Sequence, residues 1–255
     1  MHVEGLGWAG VITEDFEVAL GFFSETLGLA LEHRDEAKML AHFRLKSGQL
    51  FEVYGPSNRQ RKEKYRWFNG PALGFEVEDI ELARKEMVAR GARFITEIEM
   101  WEDEAWSMFL GPEDKLFQIQ LPGRRPSKKP ANISGFSWAG VVMQEFDEAV
   151  RFFTEVMEMP LAQRGDDIEV AHFWLPAEHL FEVFGPNDNG TELMPHLTIG
   201  FEAEDVWQVR AELEKAGVQF IGKVGVISTG GAFTYFRGPD GYPYEIWKPG
   251  KLTVE

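Results

Sequence analysis

The chain opens with an apolar run, Trp8-Ala9-Gly10-Val11-Ile12, followed by an acidic step and then a 3.6-residue rhythm. Phe16, Ala19, Leu20, Phe23 and Leu27 fall at i, i+3, i+4, i+7 and i+11, which draws one apolar stripe along a helix. Asp15 is placed to cap that helix and Gly28 to end it. Two apolar runs follow, MLAHFRL at 39–45 and LFEVYG at 50–55, with Lys-Ser-Gly-Gln between them; this predicts a β-hairpin. The order then recurs. ALGFEV at 72–77 predicts a strand, and Asp79 starts a helix with Ile80, Ala83, Met87 and Val88 on its apolar face. Gly91 closes that helix, and RFITEI, WSMFLG and LFQIQL predict the strands after it.

The same pattern appears again about 130 residues later. AHFRLKSGQLFEVYGP at 41–56 returns as AHFWLPAEHLFEVFGP at 171–186, with ten of sixteen positions identical. Trp8-Ala9-Gly10-Val11 returns as Trp138-Ala139-Gly140-Val141, and Gly74-Phe75-Glu76 as Gly200-Phe201-Glu202. Phe146, Ala149, Val150 and Phe153 form a third helical stripe; Asp205 and Gly217 bracket a fourth. Residues 1–122 and 135–250 are therefore two copies of one unit, each dividing again, at 57/58 and 186/187. Residues 123–134 read as an exposed linker and 251–255 as a tail. The expected fold class is α+β: four β-α-β-β-β modules. Two modules together give a curved sheet with helices outside and a concave inner face, so the chain predicts two cups.

Composition narrows the function. A formal charge of −16 repels phosphate backbones and anionic membranes, and the one basic run, RRPSKK at 124–129, lies between prolines in the linker. The expectation is no nucleic-acid partner and no membrane partner. There is no cysteine, hence no disulfide and no thiolate chemistry. No apolar run approaches a membrane span, and the N-terminus lacks a basic-then-apolar start, so the expected location is cytoplasmic. Residues 5–10, GLGWAG, satisfy G-x-G-x-x-G but without the strand-then-helix context that makes a phosphate cradle. The sequons at Asn132 and Asn189 lack a signal that would present them for glycosylation.

EDFEVALGFFSETLGL, EVEDIELARKEMVARGARF and FRGPDGYPYEIW, in this modular order, resemble the vicinal oxygen chelate superfamily of glyoxalases, bleomycin-resistance proteins and extradiol dioxygenases. The resemblance implies two cupped glyoxalase-like domains. In metal-dependent members it implies ligands, usually His or Gln then Glu, from the first and last strands of each module. Those positions fall on Trp8 and Glu52, Ala72 and Gln118, Trp138 and Glu182, and Thr198 and Glu245. Modules pair as neighbours or crosswise in relatives, and the sequence leaves both open. No histidine stands at a first-strand position, so the expected cofactor is none. The alternative is one divalent Mn, Fe, Ni or Zn ion completed by His196, two residues before Thr198, or by His172.

His42 and His172 share a face with Glu52 and Glu182 only in some hairpin registers. Each is otherwise a partly buried, backbone-bonded histidine. Glu52 and Glu182 are either ligand anchors or carboxylates tied to a donor such as Arg44. Glu182 and Glu245 in one cup would repel each other and raise one pKa. Trp8 and Trp138 offer flat walls, to which Trp67, Phe68, Trp101, Trp106, Trp174 and Trp247 can add. The expected ligand-binding set is Trp8, Glu52, Trp138, His172, Glu182, His196, Thr198 and Glu245. The expected function is metal-free binding of a planar or cationic small molecule, antibiotic sequestration being one form, by a monomer or homodimer. The alternative is a metal-dependent lyase, isomerase or dioxygenase acting through Glu182 and Glu245. In a third reading the first half, with Gln118 where the second has Glu245, only supports the second.

Overall fold

The structure is a computed structural model that describes residues 3–56, 70–122, 133–165, 167–186, 197–227, 230–238 and 241–250. The basic run, the sequon asparagines, Trp67, Phe68, His196 and the tail lie outside the described residues.

The first module runs β1 (Val3–Ile12), α1 (Phe16–Gly21), β2 (Ala30–Asp35), β3 (Leu40–Arg44) and β4 (Leu50–Tyr54). The second runs β5 (Ala72–Val77), α2 (Ile80–Ala89), β6 (Arg93–Phe94), β7 (Glu99–Trp101), β8 (Glu104–Leu110) and β9 (Leu116–Leu121). The third holds β10 (Ile133–Val142), α3 (Phe146–Arg151), β11 (Leu161–Gly165), β12 (Val170–Trp174) and β13 (Leu180–Phe184). The fourth holds β14 (Thr198–Ala203), α4 (Val206–Lys215), β15 (Phe220–Val226), β16 (Ala232–Arg237) and β17 (Pro243–Lys248).

Asp15, Asp79 and Asp205 each accept a hydrogen bond from the backbone N–H three residues on, so the aspartates that mark helix starts are true caps. Two expectations need correcting. Val88 is 49% exposed, because eight residues at 100° each place it about 80° round from Ile80. RFITEI is a strand only at Arg93–Phe94; the pairing with β8 is resumed by β7.

Neighbouring modules share a sheet. The first has the order β2-β3-β4-β1-β5-β9-β8-β6, with β7 also on β8; the second has the order β11-β12-β13-β10-β14-β17-β16-β15. The antiparallel pairs β1·β5 and β10·β14 join the modules, which settles the pairing left open by the sequence. The helices lie on the convex side of each sheet, as expected, but the two convex sides face one another. α1 continues into a π turn at Phe22–Thr26, and α3 into one at Phe152–Val156. The wider turn lets two consecutive phenylalanines pack inward. Phe23 lies against Phe51 of the first sheet (4.7 Å) and Tyr244 of the second (5.8 Å), while Phe22 stacks on Phe236. Phe153 repeats this against Phe181 (4.8 Å) and Phe117 (5.7 Å). One continuous core results, and both cups face away from it.

A pseudo-twofold contact joins the halves. Gln49 follows the β3–β4 turn, and His179 occupies the equivalent place after β12. His179 Nδ1 accepts from the Leu6 backbone N–H (2.9 Å), and Gln49 bridges backbone groups of Leu6 and Phe136. Glycine is required beside both. A Cβ on Gly5 would lie 2.8 Å from His179 Nδ1, and one on Gly135 would lie 2.3 Å from Gln49 Oε1. The G-x-G-x-x-G at 5–10 thus lies inside β1, where its first glycine serves interface packing rather than a phosphate.

Burial holds His179 down to about 4 from its ordinary 6.5. Its lowered pKa stabilises the fold fully above pH 6.5, and that contribution disappears as the pH falls to about 4. At about 1.4 kcal/mol per pH unit the loss is roughly 3 kcal/mol. Unfolding titrations at pH 7 and pH 4.5 should show that His179→Gln removes much of this acid sensitivity; an unchanged slope would count against His179 as its source. Among the described residues no helix is long and apolar enough to cross a membrane.

Candidate functional site

The strand period places Trp8, His42, Glu52 and Gln118 on the concave face of the first sheet. The loop between β3 and β4 closes with Leu45 N–H donating to Gln49 O (2.9 Å), which sets the register: His42 lies directly opposite Glu52, and Arg44 opposite Leu50. The histidine therefore shares the face of the glutamate.

Glu52 is buried and held on both oxygens. Trp8 Nε1 donates to Oε2 (2.6 Å), the Tyr54 hydroxyl donates to the same oxygen (2.5 Å), and His42 Nε2 lies 2.8 Å from Oε1. Burial pushes the Glu52 carboxyl up, but His42, Tyr54 and Trp8 together outweigh it and hold the group below its ordinary value. Burial depresses His42, and Glu52 more than restores it, so its pKa is raised. Arg44 does not hold Glu52. Its guanidinium spans Glu32 (3.1 Å) and Glu104 (2.6 Å) and donates to Gly48 O (3.0 Å). Burial raises Glu104 above its ordinary range in spite of Arg44. Gln118 Nε2 donates to Gln120 Oε1 (3.1 Å). Above these groups opens a cavity of about 650 Å³, walled by Leu40, Leu50, Trp106 and Met108, with Lys38 and Glu99 among its polar groups.

The second sheet repeats the floor. Trp138 Nε1 donates to Glu182 Oε2, and His172 Nε2 lies 2.9 Å from Glu182 Oε1. The His172 side chain is 26% exposed, against 10% for His42. Phe184 stands where Tyr54 does, so Glu182 lacks the third donor. Glu245 is opposite Tyr235 on the neighbouring strand, and its carboxyl is raised well above the ordinary range. Burial is the main cause; Tyr235 opposes it by hydrogen bonding, and the Glu182 charge adds to it. Thr198 is fully buried on β14.

Of the residues singled out from sequence, Trp8 and Glu52 meet in the first cup. Trp138, His172, Glu182, Thr198 and Glu245 belong to the second. Two readings are corrected: Glu52 is tied to His42, Tyr54 and Trp8 rather than Arg44, and both histidines pair with a carboxylate rather than with backbone. Sequence reasoning missed Tyr54 and Gln120, although each lies two residues from a recognised cup residue and so on the same strand face. Nothing local signals Glu104, which reaches Arg44 only through the tertiary fold.

The donor sets do not fit a tightly held divalent metal. In the first cup the four positions of the family's ligands carry Trp8, Glu52, Ala72 and Gln118, and both Glu52 oxygens are engaged. In the second, Trp138 offers an N–H donor, and Glu182 is engaged on both oxygens. Among the described residues no three His, Asp or Glu side chains converge as a metal-holding group.

The family model of the Glyoxalase/Bleomycin resistance protein/Dioxygenase superfamily matches residues 5–119 and 135–246. The chain belongs to this superfamily. Among solved structures it is similar to the Mn(II)-bound glyoxalase from Novosphingobium aromaticivorans, with a TM-score of 0.79 and 15% identity over 98% of this chain and 83% of that one. It is also similar to the 2,3-dioxygenase LapB from Pseudomonas sp. KL28, with a TM-score of 0.73 and 18% identity over 98% of this chain and 94% of that one. A 4-hydroxymandelate synthase variant from Streptomyces coelicolor aligns at a TM-score of 0.69 and 14% identity, over 98% and 94% of the two chains. At these identities the likeness establishes the fold. No curated protein matches the chain.

Proposed function

We propose that the first cup binds a small planar organic molecule without a metal. The observation that carries this is the cavity of about 650 Å³ above a carboxylate already held by three side chains. A cavity of this size suits a drug-sized ligand. Glu52 is committed to its neighbours, so it shapes the floor instead of capturing a cation. Arg44 is likewise committed, to Glu32 and Glu104. Specificity comes from the Gln118–Gln120 amides, which carry both donors and acceptors, and from Trp106 and Leu50 as apolar walls. Sequestration of a planar drug is one use such a site would serve.

Tryptophan fluorescence and melting temperature, followed against a panel of planar heteroaromatic compounds, test this reading. Binders should quench the fluorescence, and Trp106→Ala should weaken them at least tenfold, about 1.4 kcal/mol. The wall is partly exposed at this position, so the variant should keep its fold. A panel that moves neither signal, or binders indifferent to Trp106→Ala, would sink the proposal.

A further inference from the structure

We propose that the second cup is a separate site for a small alkylammonium cation. This rests on the reading of the cups as ligand sites and extends it to a second ligand of different charge. The two cups share the Trp–Glu–His floor but differ in what surrounds it. Where the first cup has Arg44, the second has Trp174; where it has Gln120, the second has Trp247. Trp138 and Trp247 are buried at the base of the cup, while Trp174, Phe184, Phe233 and Tyr235 are partly exposed around it. Tyr235 lies edge-on to Trp138 (6.3 Å) and to Phe233 (5.7 Å). Such a ring of π faces attracts a cation electrostatically, and most strongly when the cation sheds water.

Two further observations give the guest its charge and polarity. The guanidinium that Arg44 brings to the first cup is absent from the second, where Trp174 stands instead, and Glu182 is committed to Trp138 and His172, so the aromatic side chains rather than a free carboxylate hold the charge. Glu245 Oε1 and Thr198 Oγ1 are buried without a hydrogen-bond partner among the described residues; Glu245 is 1% exposed and Thr198 0%. Buried polar atoms without a partner are rare in folded proteins. Glu245 Oε1 lacks a donor, and the Thr198 hydroxyl, which can donate or accept, lacks a partner among the described residues. A quaternary ammonium fits the aromatic ring, and a hydroxyl carried on the same guest supplies the donor.

Choline and its neutral carbon isostere, 3,3-dimethylbutan-1-ol, differ mainly in the charge. Calorimetry on the full chain should show choline binding at least tenfold tighter than the isostere. Trp174→Arg, which gives the second cup the cation of the first, should weaken choline at least tenfold, whereas Trp174→Phe should retain most of the affinity. Equal binding of the isostere would overturn the cation site and leave the cups as apolar ligand sites. Absence of binding by both would overturn the second cup as this site, with the first cup still judged by its own panel. Choline binding that survives Trp174→Arg but is lost in Trp106→Ala would place the cation in the first cup and likewise overturn the proposal.

Discussion

Replacing His42 with leucine should destabilise the fold by about 3–5 kcal/mol near pH 6, measured by denaturant unfolding, because it strands a buried carboxylate. Glu52 would keep Trp8 and Tyr54 but lose the charged partner on Oε1. Replacing both residues, His42→Leu with Glu52→Met, should recover much of the loss, since a well-packed apolar pair carries no desolvation cost. The pH dependence identifies the pair. The raised His42 pKa contributes stability that is complete below its ordinary 6.5 and is lost as the pH rises through the folded value. The lowered Glu52 pKa contributes stability that is complete above its ordinary 4.5 and is lost as the pH falls through the folded value. The penalty of the single variant should therefore be greatest between 4.5 and 6.5. In the second cup His172 is more exposed, so His172→Leu should cost less. Equal penalties in the two cups, or a penalty that does not change with pH, would show that the dyad is packing rather than charge pairing.

The modular fold was legible because periodicity and duplication both report it. The stripe of Phe16, Ala19, Leu20 and Phe23 recurs as Phe146, Ala149, Val150 and Phe153, and the Asp79 cap recurs at Asp205, although Asp15 gives way to Glu145, whose side chain makes no cap. Strand β2 was not legible: Ala30–Asp35 is a polar edge strand with four exposed residues between two half-buried ends, so no apolar alternation marks it. In the site, the tryptophan and glutamate of each cup were readable from their positions in the repeat. The role of the histidines was not, because it depends on where a hairpin closes, and a shift of one residue would turn the side chain to the other face. The repeat also concealed how the two cups differ. Gln118 suggested a supporting first half, yet the cavity described above lies there; Arg44, Met108 and Gln120 of its lining are Trp174, Tyr235 and Trp247 in the second half.

Gln49→Ala should cost about 3–5 kcal/mol, an effect far larger than a polar residue beside a turn would suggest, at one to two kcal/mol for each backbone group left bare. Gln49 is 4% exposed and serves three such groups across the pseudo-twofold. Its Nε2 donates to Leu6 O (2.6 Å) and Phe136 O (2.7 Å), and its Oε1 accepts from Phe136 N–H (2.8 Å). The repeat supplies the control. His179 fills the equivalent place with one bond to backbone, so Gln49→His should restore one of the three and recover part of the loss. Gly135→Ala acts on the same spot, because its Cβ would press on Gln49 Oε1 and also on Ser47. Residues that share a contact do not add, so the double variant Gln49→Ala with Gly135→Ala, which removes the clash with Gln49 and keeps the one with Ser47, should cost more than Gln49→Ala alone but less than the sum of the two. Unfolding free energies of the four proteins decide this. Strict additivity would mean that Ser47 rather than Gln49 constrains Gly135, and a cost below 1 kcal/mol for Gln49→Ala would mean that water replaces the side chain at the joint between the halves.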